Sequence, residues 1–245
     1  MRVLIGVDDT DNLESRGTGH RVRQLAAALD ETGAAAIHGI TRHQLLVDPR
    51  IPYTSHNSSA CLTGDCVPNR LAEMVAFCRD FLLRESAPGS DAGLCVSAWE
   101  QVTAEVQTWG ARAKTEVLTQ PEATALAARV GAHLEGLTGT GGGVICALAA
   151  VGLHVAGNDG RYLWLRGLRE LRGVYTVTQL CAQVRIDGVE TESGEAVPAD
   201  ARIDIGEWPR PIRRAGRARL LVEEKTHGDD DWHVISKDRI KHLTG

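Results

Sequence analysis

Three carboxylates in four positions, Asp8, Asp9 and Asp11, follow directly on the apolar run Val3-Leu4-Ile5-Gly6-Val7. An apolar run that ends in acids reads as a buried strand whose last residues emerge at a sheet edge. Acids this close repel one another. A divalent cation between them removes the repulsion, and a cluster of hard oxygen ligands suits Mg²⁺. Magnesium held by one or two carboxylates shares its coordination with phosphate oxygens. Asp8, Asp9 and Asp11 are therefore candidate metal ligands in nucleotide-dependent chemistry. The alternative is a solvated acidic turn.

A second candidate is the glycine-rich stretch Gly139-Thr140-Gly141-Gly142-Gly143. Glycines reach backbone angles closed to other residues, so successive N–H groups can point into one concavity. The apolar Val144 to Val151 begins a helix directly afterwards, and a helix N-terminus adds partial positive charge. The pair suits a polyphosphate. No Lys-Ser or Lys-Thr follows, so this is not a Walker A loop, and Val144 occupies the third glycine position of a dinucleotide fingerprint. A third candidate, Tyr53-Thr54-Ser55-His56-Asn57-Ser58-Ser59, is dense in hydroxyl and amide donors. It can hold phosphate or a base edge, or be an ordinary polar turn. Thr18 opens a helix, where threonine caps well.

Three segments carry a family resemblance. Ile5-Gly6-Val7-Asp8-Asp9-Thr10-Asp11 with Gly17-Thr18, Pro49 to Ala60, and Gly142 to Gly152 resemble, in the same order, segments of the archaeal tRNA-isoleucine agmatinylcytidine synthetase family, in its kinase-like part. The resemblance covers about the first 175 residues. It implies an ATP- and Mg²⁺-dependent enzyme that activates an acceptor oxygen by phosphoryl transfer. It implies catalytic roles for Asp8, Asp9, Asp11 and Thr18, the last as a phosphate acceptor. It implies nucleotide binding by His56, Asn57, Ser58 and Ser59 and by Gly139, Thr140, Gly141, Gly142 and Gly143. Here the chain departs from the family pattern, because Tyr53, Ser55 and His56 stand at its Lys, Arg and Gly positions. The acceptor is expected to be a small molecule or a tRNA nucleotide. Against tRNA stand the absence of a Cys-rich zinc ribbon and the short length. Two other function classes remain: an aspartyl-type phosphohydrolase with Asp9 as nucleophile, and a nucleotide-binding protein without turnover.

These residues need elements to hold them. Val22, Leu25, Ala26 and Leu29 have the spacing of one buried helix face, predicting a helix over 17–30. Strands are expected at 34–41 and 44–47, broken by Arg42-His43. Pro68 starts a helix that runs to about Glu85. Leu94 to Ser97 reads as a strand, Val102 to Trp109 as a helix, and Glu116 to Leu118 as a strand. Thr119-Gln120-Pro121-Glu122 has capping-box spacing and opens a helix to about Leu134. Gly157-Asn158-Asp159-Gly160 predicts a turn between His154–Ala156 and Tyr162–Leu165. Hairpins are expected around Asp187-Gly188, and between Arg219–Glu223 and Trp232–Ile235 across a tip at Gly228 to Asp231.

The alternation predicts an α/β class: a layered mixed sheet with helices, followed by a β-rich C-terminal part. The expected division is 1–173, nucleotide-binding, and 174–245. Aromatic content is 4%, so Ala, Val, Leu and Ile must build the core. The six cysteines form no CxxC pair, which suits reduced thiols, and no run reads as a signal peptide, so the expected location is cytoplasmic. A net charge of −5 argues against sequence-blind nucleic-acid binding. Arg210, Arg213, Arg214, Arg217 and Arg219 form one basic run, read as a solvated strand face rather than a phosphate patch.

Overall fold

A computed structural model describes residues 1–52, 56–225 and 232–245. Tyr53, Thr54 and Ser55, and the expected tip Gly228 to Asp231, lie outside the described residues. Strand β1 (Arg2–Asp8) is buried from Val3 to Asp8 because helices cover both of its faces. Val3, Ile5 and Val7 enter one core and Leu4 the other. Helix α1 (Thr18–Glu31) buries Val22, Leu25, Ala26 and Leu29, the stripe its sequence predicts. Strands β2 (Ala36–Gln44) and β3 (Ser58–Asp65), helix α2 (Leu71–Glu85) and strand β4 (Gly93–Ala98) complete a βαββαβ unit. Its strand order is β4-β1-β3-β2 with every neighbour antiparallel, a split βαβ arrangement.

Helices α1 and α2 share the first core with one sheet face. Helices α3 (Ala104–Arg112), α4 (Gln120–Val130) and α5 (Val144–Ala156) share the second core with the other, and β5 (His133–Gly136) extends the sheet beyond β4. Two glycines set how close α5 comes. A Cβ on Gly6 would stand 2.0 Å from the Ala147 carbonyl oxygen, and one on Gly93 would stand 2.1 Å from the Gly143 carbonyl carbon. Only glycine allows that contact. It presses the first turn of α5 against the ends of β1 and β4.

The sheet continues past β2 through β6 (Arg161–Leu165). Then follow β7 (Val174–Thr176), α6 (Val177–Gln183), β8 (Gly188–Glu190), β9 (Arg202–Asp204), β10 (Ile212–Arg214), β11 (Arg217–Glu224), β12 (Trp232–Val234) and α7 (Lys237–Thr244). In space the order is β6-β10-β11-β12-β9-β7, with β8 beside β11. The β8/β11 and β9/β12 pairs are parallel, so the sheet is mixed, as the α/β expectation requires.

Several local expectations are corrected. β2 is one strand through Arg42-His43, because β3 and β6 pair with it on both sides. Glu116 to Leu118 is not a strand; β5 already occupies the β4 edge, leaving this segment no ladder partner. Helix α4 ends at Gly131, left-handed at φ 74°, and Leu134 belongs to β5. His154 to Ala156 closes α5, which stops at left-handed Gly157. β8 joins β11 in parallel rather than forming a hairpin at Asp187-Gly188. The β11/β12 pair is antiparallel as expected. Among the described residues no helix is long and apolar enough to cross a membrane.

Candidate nucleotide site

Asp8 ends β1 and is 8% exposed. Burial, then the charge of Asp9, pushes its carboxyl up to about 8, while a hydrogen bond from the Cys146 thiol acts the other way. Asp9 bends the chain out of the strand with φ 49°, left-handed for a residue that bears a side chain. Burial, then Asp91 and Asp11, raise its carboxyl to about 6. Asp11 turns toward α1. Its Oδ1 accepts the Thr18 N–H at 3.0 Å and the Thr18 hydroxyl at 2.6 Å. The Thr18 oxygen in turn accepts the Thr10 N–H and hydroxyl, both at 3.1 Å.

The expected helix cap is thereby corrected. Gly17 is the N-cap residue, Thr18 is the first helical residue, and its side chain makes no capping bond. Asp11 satisfies the helix N-terminus instead, and Thr18 fastens the acidic turn to α1.

Opposite the acids lies the glycine loop. Gly139 and Gly141 take φ 56° and 74°. A Cβ on Gly139 would collide with the Asp91 carboxylate, whereas one on Gly142 would meet nothing closer than 3.6 Å. Its nearest neighbours would be the side chains of Thr140, Gln120 and Asp91, at ordinary contact distance. The Asp91 carboxylate accepts the Thr140 N–H, and also its hydroxyl at 3.1 Å, while the Asp91 carbonyl accepts the Gly143 N–H at 2.9 Å. Part of the expected phosphate cradle is thus held by one of the protein's own carboxylates.

A cavity of about 330 Å³ lies between these parts. Asp8, Asp9, Asp11, Thr18, His56, Asn57, Ser58, Ser59, Thr140, Gly142 and Gly143 all line it. Gly139 and Gly141 do not; they shape the loop from behind and line a separate outer groove. Asn57 is built into the wall, donating from Nδ2 to the Leu46 carbonyl at 2.6 Å. The Ser59 hydroxyl is 1% exposed and has no hydrogen-bond partner among the described residues. A buried donor without a partner costs about 1–3 kcal/mol unless a ligand or water meets it.

Three lining residues escaped sequence reasoning. Asp91 braces the glycine loop and stands against Asp9. Arg42 donates from Nε to Ser58 at 2.9 Å and is a cation facing Asp8 and Asp11. Burial pushes the Cys146 thiol well above its ordinary range. Asp91 and Cys146 carry no local signal. Arg42 fell in the expected break between two strands, where a cation gives no signal of its own.

The three acids do not form a ready-made metal cage. Among the described residues no group of three or more His, Cys, Asp or Glu is placed to hold an ion, and Asp11 is committed to Thr18. The donor chemistry still fits a hard cation. Asp8 and Asp9 are adjacent oxygen donors whose ionisation is opposed by burial and by neighbouring carboxylates, the condition a divalent ion relieves.

A two-faced split βαβ sheet with a polar cavity at the end of its first strand defines a class of fold, and solved structures show it. The chain is similar to apo TiaS, an agmatidine synthetase for an isoleucine tRNA, at 22% identity and a TM-score of 0.53, over 62% of this chain and 35% of that one. It is similar to TiaS in complex with tRNA and ATP, at 22% identity and TM-score 0.54, and to a tRNA fluorescent labeling enzyme, at 23% and 0.54, each over 62% of this chain and 36% of the other. The likeness is one of fold, and the match spans about a third of those proteins' length. It agrees with the resemblance read from the three segments. No family model matches the sequence. No curated protein matches it.

Proposed function

We propose that the protein is an ATP- and Mg²⁺-dependent enzyme of the agmatinylcytidine-synthetase-like type, transferring a phosphoryl group to an acceptor oxygen. One observation carries this reading. Three stretches far apart in sequence, the acid turn, residues 56–59 and the glycine loop, face one cavity. Solved structures of similar fold are complexes with ATP and with tRNA, which supports a nucleotide in the same place.

In this reading Thr140, Gly142 and Gly143 and the start of α5 hold polyphosphate. Asp8 and Asp9 are the residues that would hold Mg²⁺, which neutralises charge between carboxylates and phosphates. The Ser59 hydroxyl and Arg42 donate to nucleotide or acceptor oxygens. Asp11, bonded to the Thr18 hydroxyl, is placed to take its proton, so Thr18 is both a clamp and a candidate phosphate acceptor. Every lining residue falls within residues 8–163, which supports 1–173 as the nucleotide-binding unit.

The test is calorimetry with ATP, with and without Mg²⁺, followed by product analysis with γ-labelled ATP. Metal-dependent binding and a phosphorylated acceptor, isoleucine tRNA or small molecule, are expected. Equal affinity in EDTA sinks the metal assignment. Released phosphate with no phosphorylated acceptor favours the phosphohydrolase, and binding without turnover favours a nucleotide sensor.

A further inference from the structure

Five arginines that lie far apart in sequence gather on the α1 face of the sheet. Arg42 on β2 and Arg161 on β6 are direct cross-strand partners, so their side chains leave the same face. Like charges placed this way destabilise a sheet unless something offsets them. Arg210 precedes β10, Arg169 follows β6, and Arg23 lies on α1. Each has other members of the set, or Arg16, within electrostatic reach, or stacks at their edge: Arg161 faces Arg42 and Arg210, Arg210 faces Arg169 and Arg42, and Arg23 faces Arg169 and Arg210.

None of the five forms a salt bridge among the described residues, whereas the half-buried Arg21, Arg112, Arg214 and Arg219 do. The acids nearby offset the set only in part: Glu170 lends Arg169 a negative charge without an ion pair among the described residues. Asp238, which faces Arg210, is already bonded to Lys241 at 2.9 Å, and Asp8 and Asp11 face Arg42 from inside the cavity. Arg161 is 4% exposed, and its Nε has no hydrogen-bond partner among the described residues. Among the described residues its one side-chain bond runs from Nη1 to the Thr244 hydroxyl, 2.9 Å. Burial and the neighbouring arginines push its guanidinium down to about 10. A buried cation with an unmet donor and no counter-charge is expensive in a folded chain.

A shallow depression lined by Leu163, Arg169, Trp208 and Arg210 opens here, and Leu163 also lines the nucleotide cavity. The two spaces therefore adjoin. Arg169 lies over the Trp208 ring at 5.0 Å, leaving that tryptophan 58% exposed.

We propose that Arg169 and Arg210, which line this depression, together with Arg42 on the wall of the adjoining cavity and the charges of Arg161 and Arg23 nearby, bind a phosphate ester of the second substrate, separate from the glycine-loop cradle. That the ester belongs to the second substrate rests on the phosphoryl-transfer reading; that this bay of arginines takes an oxyanion does not. Arginine forks match phosphate oxygens in pairs; Arg169 spends Nη2 on the Leu163 carbonyl at 2.9 Å and Arg42 spends Nε on Ser58, whereas Arg210 forms no ion pair among the described residues. A phosphate here lies beside the cavity mouth, so an acceptor tethered by its phosphate presents its remainder to the nucleotide.

The test titrates pyrophosphate into the full chain carrying Gly142→Val, which fills the cradle, and follows heat and Trp208 fluorescence. Saturable binding is expected, about tenfold weaker when Arg210→Ala or Arg161→Gln is added, with unchanged melting curves for Arg210→Ala. Arg169→Ala serves if Arg161→Gln fails to fold. No saturable binding, or affinity indifferent to all three arginines, overturns the bay. If Gly142→Val still binds ATP, the nucleotide assignment falls while the arginine dependence is judged independently. Ribose 5-phosphate and a short ribo-oligonucleotide then identify the source. Tighter binding of the first assigns a small acceptor, and tighter binding of the second assigns a nucleic-acid phosphodiester.

Discussion

Two polar clusters are buried between the sheet and α5, and they are built in opposite ways. In the first, the Thr41 hydroxyl bridges His43 Nε2 at 2.8 Å and His154 Nδ1 at 2.9 Å. His43 Nδ1 meets Asp159 at 2.8 Å, and Lys114 closes the chain at 2.6 Å from Asp159. Every member has a partner. In the second, Asp8 and Asp9 face each other, Asp91 adds a third charge, and the Ser59 hydroxyl has none to bond. A satisfied buried network holds a fold together, whereas an unsatisfied one is held by the fold for something else. The first cluster also anchors Lys114, beside the wall residues Ala113, Glu116 and Leu118 of the cavity, so it supports the second.

This contrast breaks most visibly through pH. The native Asp8 carboxyl titrates near 8, far above an unfolded value of about 4. The folded protein binds that proton more tightly than the unfolded chain does. Its stabilising effect is complete below about pH 4 and is lost as pH rises toward 8. Asp8→Asn should therefore gain stability over the parent as pH rises, by about 3 kcal/mol between pH 5 and pH 8 without ligand. Urea melts at both pH values measure it, and a loss of stability at pH 8 would show that Asp8 is already neutralised inside the protein.

The satisfied cluster should respond with the opposite sign. Asp159→Ala leaves Lys114 and His43 without their partner and should cost about 3 kcal/mol. Denaturant melts read this directly, and a variant as stable as the parent would erase the distinction between the two clusters.

At the cavity itself the cost should fall on binding. Gly142→Val places a branched side chain among the polar side chains of Thr140, Gln120 and Asp91 at ordinary contact distance, not against the backbone. ATP affinity should drop about 100-fold while the fold survives. Calorimetry together with circular dichroism checks it; a folded variant with parental affinity makes the loop a mere lead-in to α5.

The smallest effect concerns the clamp. Thr18→Ala removes hydroxyl bonds to Asp11 and Thr10 and should cost about 1 kcal/mol, with Thr18→Ser nearly silent. Intact-mass spectrometry after incubation with Mg-ATP asks the chemical question separately. Stoichiometric phosphate on Thr18 would move it from clamp to acceptor.

What the sequence determined by itself was local. An apolar run ending in acids, a glycine stretch before an apolar helix and a stripe at helical spacing each depend on neighbours a few residues away, so β1, the loop before α5 and α1 were legible. The segment 56–59 was legible as donor-rich. Pairing was not. β2 looked broken at Arg42-His43 because only β3 and β6 make it continuous. Glu116 to Leu118 looked like a strand because its composition cannot show that the edge is taken. The arginines make the same point in both directions. The run from Arg210 to Arg219 looked like one exposed basic face, yet Arg213 is buried, donating to the His154 carbonyl and the Tyr162 hydroxyl, and Arg214 and Arg219 pair with Glu190. Only Arg210 joins Arg23, Arg42, Arg161 and Arg169, which are unremarkable one at a time. Charge acts through space over about 10 Å, a distance that sequence separation does not measure, so the register of β2 against β6 decided where these cations meet.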